Sequence, residues 1–287
     1  MLRTDLAVES VADLHSQKGI KKTEDNRAGM DITRIEITEK STAEELQKPM
    51  GNYVTLSRKG LFDYSEDFSE RAQLLAEEIR AFLPAGEVLV AGLGNRDITP
   101  DALGPLVADS VLSTRHFRTA SAQTFGLEKL RGVSVIATGV LGQTGIESAE
   151  LIHSVVQRIK PSAVIAVDAL AARELSRLTS TVQLCDTGIA PGSGVQNSRT
   201  AITKELLGVP TIAIGVPTVV DAVTMAESIF GADAANAKSL NPDGYTMMVT
   251  TRDIDTVIKR ASSLIALAIN LALHPELSQD DILFLNS

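Results

Sequence analysis

Tryptophan is absent from this 287-residue chain, aromatic residues make up only 3% of it, and it holds one cysteine and four histidines. So few rings leave the core to Leu, Ile, Val and Ala, which suits parallel strands covered by helices and counts against an all-β sandwich. The lone Cys185 excludes an intramolecular disulfide and fits a reducing compartment. His15, His116, His153 and His274 show no HExxH or comparable zinc spacing, so a zincin is not expected. Basic residues are outnumbered: a formal charge of −9 leaves no broad cationic surface for DNA or an anionic membrane. Residues 1–9 lack the apolar segment of a signal peptide, and the longest apolar run, Ala261–Leu273, is short for a bilayer. The expectation is a cytoplasmic protein with neither nucleic acid nor membrane as a direct partner.

What is present is a hydrophobic fraction of 44%, enough for one large α/β domain with a smaller appendage. Residues 1–60 are polar, with short alternating pieces at Ile32–Thr38 and Tyr53–Leu56 that read as pairing edge strands. From Ser65 a helix is marked by Phe68, Ala72, Leu75, Ile79 and Phe82, stopped by Pro84 and followed by the buried strand Val88–Ala91. Strands at Val133–Ala137, Ala163–Val167, Val182–Leu184 and Thr211–Val216 alternate with helices at Ile146–Ile159 and Val219–Phe230. That alternation predicts a mostly parallel sheet flanked by helices. Residues 231–245 read as a mobile loop, and a last helix opens with Thr250 and Asp253 in capping-box spacing.

In open α/β sheets ligands bind beyond the carboxyl ends of the strands, so polar residues directly after the apolar runs are the candidates. Four segments qualify: GLGNRDITPDALGP, GVLGQTG, VDALAAR and DTGIAPGSG. Asp168 ends the run AVIAV, where its alternative role is to bond the backbone of the following loop. Asp101 follows Thr99 as N-cap and Pro100 at the first helical position, so plain helix capping competes with catalysis there. Pro105 cannot donate to the carbonyl of Asp101, which predicts an irregular first turn or a later helix start. Two facing carboxyls can divide their labour, one ionised as base toward a water and one protonated as acid. Asp97 and Asp186 read as turn residues, Cys185 as a small hydrophobe, and Ser193 lies outside any GxSxG elbow. GLGN lacks the third glycine of a dinucleotide loop, because position 97 is Asp97.

Together with RTDLAVE near the N-terminus, the strings GLGNRDITPDALGP, ATGVLGQTGIE, AVDALAARELSRL and DTGIAPGSGV resemble the germination proteases of spore-forming bacteria over nearly the whole chain. The resemblance implies an endopeptidase that degrades small acid-soluble spore proteins in the spore core. It would cut after Glu or Asp, before a hydrophobic residue followed by Ala. It places the catalytic pair on Asp101 and Asp168 and implies a homotetramer with no cofactor. It also implies a zymogen that cuts itself between Asp5 and Leu6, giving a propeptide 1–5, an N-terminal region 6–60 and a catalytic domain 61–287. An acidic preference calls for a nearby cation, and Arg96 and Arg173 are candidates, each equally readable as a solvated charge. The family fold is related to hydrogenase maturation endopeptidases, which supplies the alternative: a divalent metal gripped by the two aspartates. Two readings from other classes stay open, a phosphorylase-type enzyme using the glycine loops for phosphate and a non-catalytic binding module.

Overall fold

The five residues Val88–Gly92 carry no polar side chain, as expected of a strand covered on both faces. In the computed structural model, which describes residues 4–12, 14, 18–118, 129–192, 199–230 and 247–286, they lie in the parallel half of a nine-stranded sheet. The strands are β1 (Ile20–Arg27), β2 (Met30–Ile37), β3 (Gly51–Ser57), β4 (Val88–Gly92), β5 (Val133–Ala137), β6 (Ala163–Ala172), β7 (Thr181–Cys185), β8 (Thr211–Asp221) and β9 (Met248–Val249). Their order is β1-β2-β3-β7-β8-β6-β4-β5, with β9 on β8.

Pairs among β8, β6, β4 and β5 are parallel, whereas β7, β3, β2 and β1 extend the sheet antiparallel from β8. The sheet is thus mixed, with a parallel core of four strands where the sequence pattern predicts a mostly parallel sheet. The connection from Ala172 to Thr181 explains the difference, being shorter than the dozen or so residues a parallel crossover needs. Strands β2 and β3 cover the alternating pieces read from sequence and pair with each other, but neither is an edge strand, because β1 and β7 flank them. Their partner β1 is exposed along almost its whole length and shows no alternation.

The helices are α1 (Ala7–Ala12), α2 (Lys40–Leu46), α3 (Phe68–Phe82), α4 (Leu103–Ser110), α5 (Leu141–Thr144), α6 (Ser148–Ile159), α7 (Lys204–Leu207), α8 (Ala222–Phe230), α9 (Ile254–Leu273) and α10 (Gln279–Leu285). One sheet face, bearing Ile165, Val167, Leu184 and Ile214, is covered by α3, α4 and α9. On the other face α6 covers Leu89, Ala91, Val164 and Ala166. The N-terminal segment, with Leu6, Ala7 and Val8, covers Leu170, Cys185 and Ala213.

Several local details depart from the sequence pattern. Strand β8 runs on to Asp221, so α8 begins at Ala222 instead of Val219, because Val219 and Val220 pair with Ala171 and Ala172. Helix α9 has Asp253 as its N-cap without a side-chain cap, and the Thr250 hydroxyl donates to the Thr218 carbonyl at 2.7 Å, so the expected capping box does not form. By length and composition alone α9, at 20 residues and mean hydropathy 1.4, is apolar enough to cross a membrane, longer than the apolar run at its core; 67% of that stretch is buried in the fold. The loop reading at 231–245, Ser193 and His15 lie outside the described residues.

His274 ends α9 fully buried, and neither ring nitrogen has a hydrogen-bond partner among the described residues. Burial holds its pKa below the ordinary 6.5, against the pull of Glu276. Folding therefore favours the neutral ring, and stability is lost as pH falls from 6.5 toward the depressed folded value. His274→Met should flatten this part of a plot of melting temperature against pH, leaving the more acidic part unchanged.

Candidate active site

Asp168 lies within β6, on the sheet face that carries Ala166 and Leu170. Val167 is the last β6 residue to pair with β4, opposite Gly92, so Asp168 is the first beyond the end of its neighbour. The sequence places it after the strand; the strand instead continues to Ala172, pairing only with β8. The step between the extended β6 and the loop that follows β4 forms the crevice.

That loop delivers Asp101. Thr99–Asp101 form a 3-10 turn with Ile98 as N-cap, and α4 starts afterwards at Leu103, as Pro105 requires. The turn packs against β6 and β8. The Asn95 N–H donates to Asp101 Oδ2 at 2.7 Å, folding the loop back over its own end. Gly94 makes this possible: its φ is +105°, and a Cβ there would run into the Asp101 carbonyl oxygen.

The two carboxyls sit in unlike surroundings. Asp168 is 5% exposed and accepts one hydrogen bond, from the Ala169 N–H at 2.9 Å. Burial pushes its pKa well above the ordinary carboxylate range, and the charge of Asp101 pushes it further. Asp101 is also raised by burial, but the Asn95 N–H and the cation of Arg199 draw it back. The environment thus sorts them into a proton holder, Asp168, and a more readily ionised partner, Asp101.

The N-terminal segment reaches the same crevice. Asp5 N–H donates to the Ala171 carbonyl at 2.9 Å, and the Ala171 N–H donates to Asp5 Oδ2 at 2.8 Å. The Asp5 charge is among those that raise Asp168. Leu6 and Ala7 are fully buried, and Glu9, 1% exposed, accepts from the backbone N–H groups of Arg173 and Glu174 at 2.9 Å each and from the Thr4 hydroxyl. Arg173 is buried against this segment, donating to the Glu9 carbonyl at 3.2 Å. Arg96 points elsewhere, to Asp109 on α4 at 2.7 Å.

Two cations that the sequence does not single out face the site. Lys48 donates to the Thr4 carbonyl at 2.9 Å, its pKa lowered by burial against the pull of Asp5. Arg199 acts on both Asp101 and Asp168, and its Nε is buried with no hydrogen-bond partner among the described residues. No local sequence signal marks either, since each reaches the crevice from a connection between regular elements. Asp97 and Asp186 have structural partners, Gln143 and Asn52. Cys185 is buried, and burial raises its thiol pKa, which disfavours a nucleophilic thiolate. Among the described residues no group of three or more His, Cys, Asp or Glu is arranged to hold a metal ion.

A family model described as Germination protease matches residues 3–231. The germination protease of Caldanaerobacter subterraneus subsp. tengcongensis is 41% identical, over 98% of this chain and 97% of that one. The chain belongs to the germination protease family. Its relatives include the germination proteases of Clostridium acetobutylicum, 37% identical over 98% of both chains, and of Bacillus velezensis, 37% identical over 98% of this chain and 95% of that one. This member is accordingly a peptidase, a spore-germination endopeptidase. Among solved structures, a [NiFe] hydrogenase maturation protease HycI from Thermococcus kodakarensis KOD1 aligns at 18% identity and a TM-score of 0.38, over 67% of this chain and 98% of that one.

Proposed function

We propose that this germination protease hydrolyses peptide bonds with Asp101 and Asp168 as a carboxylate dyad, without a cofactor. It is made as a zymogen that cuts itself between Asp5 and Leu6. The observation that carries this reading is the seat of Asp5: it bonds both backbone groups of Ala171, three residues beyond Asp168, in the crevice that Asp101 enters. Ionised Asp101 takes a proton from water, whose oxygen adds to the carbonyl carbon of the scissile bond. Asp168 gives its proton to the leaving nitrogen as the C–N bond breaks, so one water is consumed and an acid and an amine are released. Substrates in trans are small acid-soluble spore proteins in the spore cytoplasm, cut after an acidic residue and before a hydrophobic residue followed by Ala. Leu6 and Ala7 fill that order in a fully buried apolar setting. Lys48 and Arg199 supply positive charge for the acidic residue, and the chain assembles as a homotetramer.

The test is incubation of the purified chain with a small acid-soluble spore protein, with and without a strong chelator, reading the fragments and the enzyme's own N-terminus. Chelator-resistant cleavage after acidic residues, with a new N-terminus at Leu6, is expected. Loss on chelation and recovery with added divalent metal would replace the dyad by a metal mechanism; an uncut N-terminus would remove the zymogen.

A further inference from the structure

Gln183 is a buried polar side chain on the sheet face that the N-terminal segment covers, 7% exposed, and its two side-chain hydrogen bonds go to that segment. Its Oε1 accepts from the Ala7 N–H at 2.7 Å, and its Nε2 donates to the Asp5 carbonyl at 3.1 Å. The amide orientation is fixed by this pairing, since only an oxygen can receive the Ala7 N–H. Register sets the position. Gln183 lies opposite Gly215 on one side of β8, and Asp168 lies opposite Gly215 on the other, so the three form one row across the sheet. Residues paired in register point to the same face, and Gly215 between them carries no side chain.

Resting on the self-cleavage reading above, we infer that Gln183 is the substrate-backbone clamp of this protease and the donor to the scissile carbonyl. Its amide spans the bond that breaks, holding the carbonyl of Asp5 on one side and the N–H of Ala7 on the other. As water oxygen adds to the Asp5 carbonyl carbon, negative charge grows on the oxygen that Nε2 already faces. A donor aimed there stabilises the transition state more than the ground state. When the C–N bond to Leu6 breaks, the nitrogen leaves with the proton from the acid, and Gln183 keeps its own protons. The same two contacts require an extended substrate at the acidic residue and a free N–H two residues on. Proline should therefore be rejected at the position that Ala7 occupies.

The experiment compares the full wild-type chain with Gln183→Met and Gln183→Leu, each of which removes both hydrogen bonds without adding a titratable group. The readouts are the first-order rate of N-terminal processing, kcat and KM on a small acid-soluble spore protein, the pH profile and the melting temperature. Expected are a loss of about 100-fold in processing rate and in kcat for both variants, a smaller rise in KM from the lost contact to the N–H two residues on, and an unchanged position of both limbs of the pH profile. A clamp with only a structural role would lower the melting temperature and leave kcat of the folded fraction intact, which overturns the proposal. Variants that process at the wild-type rate overturn it as well. Wild-type chain that never loses residues 1–5 instead sinks the self-cleavage reading. Should both variants fail to fold, hydrogen exchange in uncut Asp168→Asn chain decides: a protected Ala7 amide supports the clamp, and free exchange there refutes it.

Discussion

Asp168→Asn is expected to lower kcat by roughly 1000-fold or more, with Asp101→Asn close behind, because each removes one half of a proton relay. The pH dependence gives the assignment its direction. Activity should fall in acid as Asp101 takes up a proton, and fall at alkaline pH as Asp168 loses the one that burial and Asp101 hold on it. A bell of this kind reports the pair, so neither limb belongs wholly to one residue. The same burial has a consequence for stability. A carboxyl whose folded pKa lies above the unfolded 3.8 contributes fully only below that value, and the contribution is lost as pH rises through the folded pKa. Asn keeps the acceptor for the Ala169 N–H and removes the titration. The variant should therefore melt above wild type at neutral pH and level with it in acid. Calorimetry against pH, paired with the cleavage assay, checks both; an inactive variant that melts lower at neutral pH would count against a protonated, buried Asp168.

Glu9→Ala should produce a large loss of stability although it lies outside the hydrophobic core. Its carboxylate is the acceptor for the Arg173 and Glu174 N–H groups and the Thr4 hydroxyl, in a site that water barely reaches. Alanine leaves these donors buried and unpaired, which costs about 2–5 kcal/mol. Thermal melting should drop by on the order of 10 °C, and Glu9→Gln, which keeps one acceptor, by less than half of that. An unchanged melting temperature would mean that the N-terminal segment is not part of the cooperative core.

The parallel half of the sheet is legible because its strands are short apolar runs bounded by Pro and Gly, with helices between them at helical spacing. Asp168 stands out because it interrupts such a run, and the late start of α4 follows from Pro105. The antiparallel half is less legible. Strand β1, IKKTEDNR, has no buried face and is held by its pairing with β2, which no local pattern announces. Helix α1 looks like a fraying end until Glu9 is seen tying it to the residues after β6. Lys48, Gln183 and Arg199 come from three separate stretches of chain, and only the fold brings them to one crevice. Arg96 and Arg173 were reasonable cations by position, yet one pairs with Asp109 and the other with the segment that holds Glu9.

Leu6 and Ala7 have no exposed surface, and they lie just past the bond proposed to be cut. Hydrolysis there would turn an uncharged amide nitrogen into a primary amine with an ordinary pKa of about 8, mostly cationic at neutral pH. A lone cation is strongly disfavoured in an apolar cluster. The new terminus must therefore leave for water or find a carboxylate, and rejoining the ends would need it to return uncharged. Cleavage at this position would work as a ratchet: in water or paired with a carboxylate, the charged terminus lacks the free electron pair that the reverse reaction needs.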